Sequence, residues 1–370
     1  MRRLCVFVFY DYKGIVDDYV VYLLDSIKKV AEKSIVLVNG FTTDEGKSKL
    51  KIHSDVLLMR DNKGFDWGAY RDYFLIHSAK DKILQYDEII LMNNSFFGPF
   101  YLWNEMFDTM KDCGADIWGI TDAKKCEILD EETMRPHIQG YFLVLNRRVI
   151  EDESFMDFWK KMEYPASFKR AVYDGEIFFS QWFMKKGFRL DSYIDVVSDG
   201  VYKDNTKNYI SAADEFIIKH RCPILKWKAI SPLYYESFSR VMEYLDNNSL
   251  YDLNLIYENI NRKDKDGMIK PYSFIQIDSF CESHNSIYLY GAGEYAAKLR
   301  IYLMAKGYAI NGNIVTDNKC NEENIAFNDY SHHNNDGIII AVGRKYCEEI
   351  YMLLRTKINE LDILKPEYVW

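Results

Sequence analysis

Four short runs near the N-terminus are almost continuously apolar and of strand length: LCVFVFY (4–10), SIVLVNG (34–40), DVLLM (55–59) and DEIILM (87–92). A strand that faces water on one side alternates polar and apolar residues, whereas one covered on both faces does not need to. Segments of helical period lie between these runs, among them VVYLLDSIKKV (20–30) and AYRDYFLIH (69–77). Strands covered on both faces and separated by helices describe an α/β chain with a doubly wound parallel sheet. In such sheets ligands bind beyond the carboxyl ends of the strands. Here those ends carry Tyr10-Asp11, Arg60-Asp61-Asn62 and Asn93-Asn94-Ser95, which are therefore candidate binding residues.

The alternation continues with strands expected at DIWGI (116–120) and IQGYFLVLN (138–146) and amphipathic helices at FMDFWKKM (155–162) and GEIFFSQWFMKKG (175–187). The polar stretch DAKKCEILDEETMRP (122–136) reads as a loop. Residues 237 to about 280 read as helical and connecting, with the charged run NRKDKDG (261–267) as the linker candidate. After residue 285 the pattern restarts as SIYLYGAGEYAAKLRIYLMAKGY (286–308): a strand, a GxGxxA turn and a helix, followed by GNIVTD (312–317) and GIIIAVG (337–343). This is the pattern of a small Rossmann-like unit. Gly291 and Gly293 would admit a phosphate there and Asp317 a ribose hydroxyl, or the glycines serve only the tight turn and helix packing. At 370 residues the chain is too long for one ordinary domain. The expected division is 1–236, a helical connector 237–284, and 285–370.

A formal charge of −9 argues against nucleic acid as a partner, because phosphate backbones require a surplus of Lys and Arg on one face. Any anion must be met by a local site. Seven cysteines without a close CxxC pair suggest neither a disulfide framework nor a zinc site, and free buried thiols in a reducing compartment follow. No run of about 18 apolar residues is present, and MRRLCVFVFYD turns polar too early for a signal peptide, so a cytoplasmic protein is expected. Aromatic residues make up 16% of the chain; most belong to cores, and flat rings also suit the faces of sugars.

Several blocks together are more informative than any one of them: DNKGFDWGAYRDYF (61–74), YDEIILMNNSFFGPF (86–100), DIWGIT (116–121), HIQGYFLVLNRRVI (137–150), GEIFFSQWFMKKGF (175–188) and CPILKWK (222–228). In this order and spacing, over roughly residues 3–260, the chain resembles the rhamnan synthesis F family of bacterial polysaccharide glycosyltransferases. The resemblance implies a GT-A type nucleotide-sugar fold for the N-terminal part, with the C-terminal Rossmann-like unit outside it. It also implies a nucleotide-sugar donor, dTDP-rhamnose or similar. The implied acceptor is a lipid-linked or polysaccharide chain reached at the inner face of the plasma membrane, with peripheral association to the membrane or an assembly complex.

Within the first block, Gly64 and Gly68 let the backbone pass close to a bound group, and Asn62 and Asp66 can hydrogen-bond a base or sugar. Asp66 also suits an N-cap with the helix aimed at a phosphate; otherwise the stretch is a capped turn with Phe65 and Trp67 in the core. The resemblance places a metal-binding carboxylate pair after DEIILM, where this chain has Asn93-Asn94-Ser95, and the family usually has Asp at the middle position. Neutral amides are poor ligands for hard cations, so a metal-independent site is favoured, with a divalent metal as the alternative. Leaving-group charge would then fall to Lys226, with Arg71 and Lys63 behind it. By the resemblance Glu176 takes the general-base position of an inverting enzyme, with Asp174 as its alternative, and His137 and Gln139 contact the acceptor. Gly140 stands where the family often has Ser. A rival function is a non-catalytic nucleotide-sugar binding or scaffolding protein, and a third makes the C-terminal unit a small nucleotide-dependent enzyme.

Overall fold

A computed structural model describes residues 1–123, 127–129, 132–200, 208–316 and 324–367. It forms two compact units, one of Met1–Trp227 with Glu243–Ile256 and one of Lys228–Met242 with Tyr257–Trp370.

The first unit opens with β1 (Arg3–Phe9), α1 (Asp18–Ile27), β2 (Lys33–Asn39), α2 (Asp44–Ile52), β3 (Val56–Arg60), α3 (Phe65–Asp72) and β4 (Glu88–Asn93). It continues with β5 (Phe96–Phe97), α4 (Trp103–Lys111), β6 (Ile117–Gly119), β7 (Asp122–Ala123), β8 (Glu127–Leu129), β9 (Glu132–Met134), β10 (His137–Ile138) and β11 (Phe142–Asn146). After these come α5 (Arg147–Glu151), α6 (Glu153–Lys161), α7 (Phe168–Arg170), α8 (Phe178–Lys185), β12 (Leu190–Ser192), α9 (Tyr193–Val197) and β13 (Leu225–Lys226). Seven strands make one sheet in the order β12-β6-β11-β4-β1-β2-β3. Every pairing is parallel except those of β11, which runs against β4 and β6. The α/β reading of the sequence therefore holds.

The apolar runs are explained by burial on both faces. Leu4, Val6 and Val8 join a cluster with Trp67, Tyr70, Phe74, Phe158, Trp159, Phe179 and Phe183, while Cys5, Phe7 and Phe9 are buried on the other side of the same strand. Most of the aromatic surplus is thus core, and its rings meet edge to face or stacked, as at Phe74–Trp159 (4.8 Å) and Phe158–Phe179 (5.2 Å).

Five segments differ from expectation. The run 138–146 is two strands, β10 and β11, because Gly140 donates its N–H to the Glu176 carboxylate rather than to a strand neighbour. The helix expected at 69–77 ends in a π-helical stretch, Tyr73–His77, and the one expected at 175–187 starts inside another, Ala171–Ile177. The cap position of α3 is Gly64 (φ +78°), not Asp66, whose side chain is engaged by Asn93 instead. The stretch 122–136 is not simply a loop in its described part: β7 pairs with β10, and β8 with β9.

Helices α10 (Tyr235–Asn248), α11 (Asn254–Lys265) and α12 (Phe274–Ser283) fill the segment read as helical. The charged run 261–267, the linker candidate, stays helical through Lys265 and turns at Gly267 (φ +66°). The second unit carries β14 (Ser286–Tyr290), α13 (Glu294–Ala305), β15 (Ile310–Val315), β16 (Asn324–Ala326), β17 (Asp336–Ile340), α14 (Arg344–Leu354) and β18 (Ile363–Leu364). Its five-stranded sheet, order β16-β15-β14-β17-β18, is parallel throughout. Leu289 and Ile339 pack into one apolar cluster and Tyr290, Ile338 and Ile340 into another. At Gly291 (φ +122°) a Cβ would stand 2.6 Å from the Ala341 carbonyl oxygen, so this glycine serves close backbone approach; around Gly293 the space is open. Asp317 lies outside the described residues.

Candidate functional site

The carboxyl ends of β1 and β4, the start of α3, β13 and the loop between β10 and β11 bring polar side chains together. Asn93, the last residue of β4, donates from Nδ2 to Asp66 Oδ2 at 2.6 Å. Its Oδ1 accepts from the Ser95 N–H (3.1 Å) and from Ser95 Oγ (2.5 Å). Ser95 Oγ in turn accepts from Lys226 Nζ at 2.6 Å. Lys226 is only 7% exposed, a rare state for a lysine, and β13 holds it there by pairing with β5. Its ammonium also lies 4.0 Å from the centre of the Tyr141 ring, a cation–π contact made in a largely desolvated place. A buried cation and a carboxylate are thus joined through one serine and one asparagine.

Asp66 is half-buried. Loss of hydration pushes its carboxyl up to about 6; the Asn93 hydrogen bond and the Lys226 charge oppose this, the Glu176 charge adds to it, and Arg60 opposes it weakly. Glu176 accepts on Oε1 from the Gly140 N–H at 2.5 Å. Among the described residues no other protein donor is bonded to either carboxylate, so each keeps one oxygen free. Glu176 lies at the end of the π-helical stretch 171–177, a widened turn of the kind that often re-aims a functional side chain.

Gln139 accepts from Thr121 Oγ1 at 2.5 Å, and the same Thr121 hydroxyl meets Tyr141 Oη at 2.6 Å. Gln139 also bonds the Tyr209 hydroxyl, which burial pushes up, with the charge of Glu176 adding to the effect. The Tyr141 hydroxyl is pushed up mainly by burial too, with Glu176 as a minor cause. Glu176 is therefore within electrostatic reach of Asp66, Tyr141 and Tyr209. Reasoning on the sequence missed Thr121, Tyr141 and Tyr209. Tyr141 stands inside the quoted block HIQGYFLVLN, whereas Tyr209 follows a stretch with no pattern.

Other candidate residues have local duties. Asn94 binds the Tyr10 backbone twice, accepting its N–H on Oδ1 (3.1 Å) and donating from Nδ2 to its carbonyl (3.0 Å). The Tyr10 side chain is exposed. Asp11 Oδ1 accepts the N–H groups of Lys13 (2.9 Å) and Ile15 (3.2 Å), fixing the turn after β1. Asn62 and Lys63 are exposed, and the Lys63 ammonium lies 4.5 Å from the Tyr164 ring. Arg71 is turned to the Met162 carbonyl (2.9 Å) and Tyr164 Oη (3.0 Å). Asp174 is paired with Arg170. His137 is buried with Nδ1 2.7 Å from the Arg135 carbonyl oxygen. These bonds lie outside the hydrogen-bonded chain that runs from Asp66 to Lys226.

For a metal, the two amide oxygens after β4 are already in use, Asn93 Oδ1 by Ser95 and Asn94 Oδ1 by Tyr10. Among the described residues no three His, Cys, Asp or Glu side chains are grouped so that they could hold an ion.

The family described as rhamnan synthesis protein F matches residues 34–290, well over half of the chain. The chain belongs to this family. As a rhamnan synthesis F protein it has a mostly parallel α/β sheet in its N-terminal unit. Among curated relatives, an uncharacterized protein of Sinorhizobium fredii, y4gN, is 22% identical over 158 residues, 43% of this chain and 40% of that one. Virulence protein VirA of Vibrio anguillarum is 24% identical over 140 residues, 36% of this chain and 41% of its own. The family member described here thus spans about two fifths of the length of the curated relatives it matches. A solved structure of a putative nucleotide-diphospho-sugar transferase from Desulfovibrio desulfuricans G20 superposes over 66% of this chain and 97% of that one, at 11% identity and a TM-score of 0.30.

Proposed function

We propose that the chain is an inverting, metal-independent glycosyltransferase that moves a deoxyhexose, L-rhamnose from dTDP-rhamnose, onto a lipid-linked or polysaccharide acceptor. The observation that carries this reading is the set Asp66, Glu176 and Lys226: two carboxylates with one fixed and one free oxygen each, near a buried ammonium ion. The free oxygen of Glu176 takes the proton of an acceptor hydroxyl as that oxygen bonds to the anomeric carbon. The bond from that carbon to the donor phosphate oxygen breaks in the same step, and the nucleoside diphosphate leaves. Lys226, held by Ser95 and Tyr141, faces the charge that develops on the leaving diphosphate without rearranging. The free oxygen of Asp66 accepts a hydroxyl of the donor.

Neutral amides committed to Tyr10 and Ser95 support the metal-independent form of this reading. No described helix is long and apolar enough to cross a membrane, and a peripheral approach to a lipid-linked acceptor suits that. The test is release of dTDP from dTDP-rhamnose by wild type and Glu176→Gln. A positioned general base contributes about 10²- to 10⁴-fold, and a loss in that range is expected. Full turnover in the variant would remove Glu176 from the mechanism.

A further inference from the structure

Among the described residues Glu176 has one protein hydrogen-bond partner, the N–H of Gly140, and Gly140 and Gly175, the residue before Glu176, lie against the same indole. A Cβ on Gly175 would stand 2.3 Å from Trp67 Cδ1, 2.4 Å from Cγ and 2.6 Å from Nε1. A Cβ on Gly140 would stand 2.8 Å from Trp67 Cζ2, 3.4 Å from Cε2 and 3.5 Å from Nε1. The nitrogen-bearing edge of the ring therefore runs along the two glycines in turn. Neither glycine has a left-handed backbone, so contact with Trp67, not φ, is what calls for glycine at both places. On its other side the ring is backed by Tyr70, Phe158, Trp159 and Phe179, with centroids 5.3 to 6.4 Å away, and Trp67 is 5% exposed. A rigid plate held from behind sets the spacing between the β10–β11 loop that gives the N–H and the helical stretch that gives the carboxylate.

We infer that Trp67 is a positioning residue for Glu176: its indole edge, seated on Gly140 and Gly175, sets the Gly140 N–H to Glu176 contact and with it the direction of the free carboxylate oxygen. The functional part of this rests on the reading of Glu176 as the base. The absence of a side chain at Gly140 follows from the same contact, because a serine there would meet the ring.

The test uses the full chain labelled with ¹⁵N-glycine, in which the Gly140 amide is identified by its loss in Gly140→Ala. An amide bonded this closely to a carboxylate resonates downfield, and Glu176→Gln is expected to move it upfield. Trp67→Phe and Gly175→Ala are expected to move it upfield by a large part of the same shift, while glycine amides of the second unit such as Gly312 stay in place. Gly175→Ala in the Trp67→Phe background is expected to bring it back towards the wild-type position, since the smaller ring leaves room for the methyl group. In dTDP release, Trp67→Phe is expected to lower kcat about tenfold or more with donor KM changed less than about twofold.

An amide that holds its position in Trp67→Phe and Gly175→Ala overturns the inference, as does one that ignores Glu176→Gln. Full turnover in Glu176→Gln would bring down the base reading while the amide shifts still report on the Trp67 contact. Loss of turnover in Glu176→Gln, with kcat and amide position unchanged in Trp67→Phe, would bring down this inference alone.

Discussion

Both units of the molecule end a central parallel strand in a loop that, by topology, is a place for a ligand, yet the two loops are filled differently. After β4 the chain gives Asn93-Asn94-Ser95, whose side chains link a half-buried carboxylate to a buried lysine. After β14 it gives Gly291, and the space a side chain would take is occupied by the Ala341 carbonyl. Topology is shared; only the first loop holds charge out of water. Holding Lys226 and Asp66 there costs solvation that a purely structural loop has no reason to bear. Close backbone packing explains Gly291 in the second loop.

Substitutions sharpen or break this contrast. The largest effect is expected from Lys226→Met, which keeps the stem of the side chain and removes the charge. Loss of a preorganised stabilising group of this kind lowers kcat about 10²- to 10³-fold, read as dTDP release. A variant that turns over normally would make the buried lysine structural. Next comes Asn94→Asp, where a carboxylate replaces an amide that donates to the Tyr10 carbonyl and can no longer do so. A loss of about 1 to 3 kcal/mol in urea unfolding is expected.

Asp66→Asn is expected to act in the opposite direction. The folded-state value of Asp66, about 6, lies above that of an unfolded aspartate, so the folded chain binds more protons through that window and stability falls as pH rises through it. The amide variant escapes this. It should be more stable than wild type above pH 6 by about 1 kcal/mol, at the low end for such a shift because the side chain is only half-buried, with no difference near pH 4. Denaturant midpoints at the two pH values check the sign. The smallest effect on turnover belongs to Gly291→Ala. It strains the second loop and lowers the melting temperature, and dTDP release per folded molecule is expected to stay at the wild-type level.

The sheet was legible because burial on both faces removes the period-two alternation from a strand, as LCVFVFY shows, and the rings of α3, α6 and α8 followed from helical spacing. Asp66, Asn93, Ser95 and Lys226 were legible as strand-end and block residues, but not the order in which they bond. Duties that depend on distant contacts were hidden. Nothing local shows that Gly140 and Gly175 both face Trp67, or that Gly140 gives its N–H to Glu176 and so splits an apolar run into two strands. Arg71 and Lys63 read as candidate cations for a phosphate, and Tyr164, far along the chain, receives both. The Asn94 amide reads as a weakened metal ligand until its two bonds to the Tyr10 backbone are seen.

The most direct measurement is calorimetric binding of dTDP to the full chain in wild type, Lys226→Met and Gly291→Ala. Binding in wild type and in Gly291→Ala, with at least a tenfold loss in Lys226→Met, is the expected result; tenfold corresponds to about 1.4 kcal/mol. Unchanged affinity in Lys226→Met together with lost binding in Gly291→Ala would move the nucleotide to the second unit and contradict the site described at the end of β4.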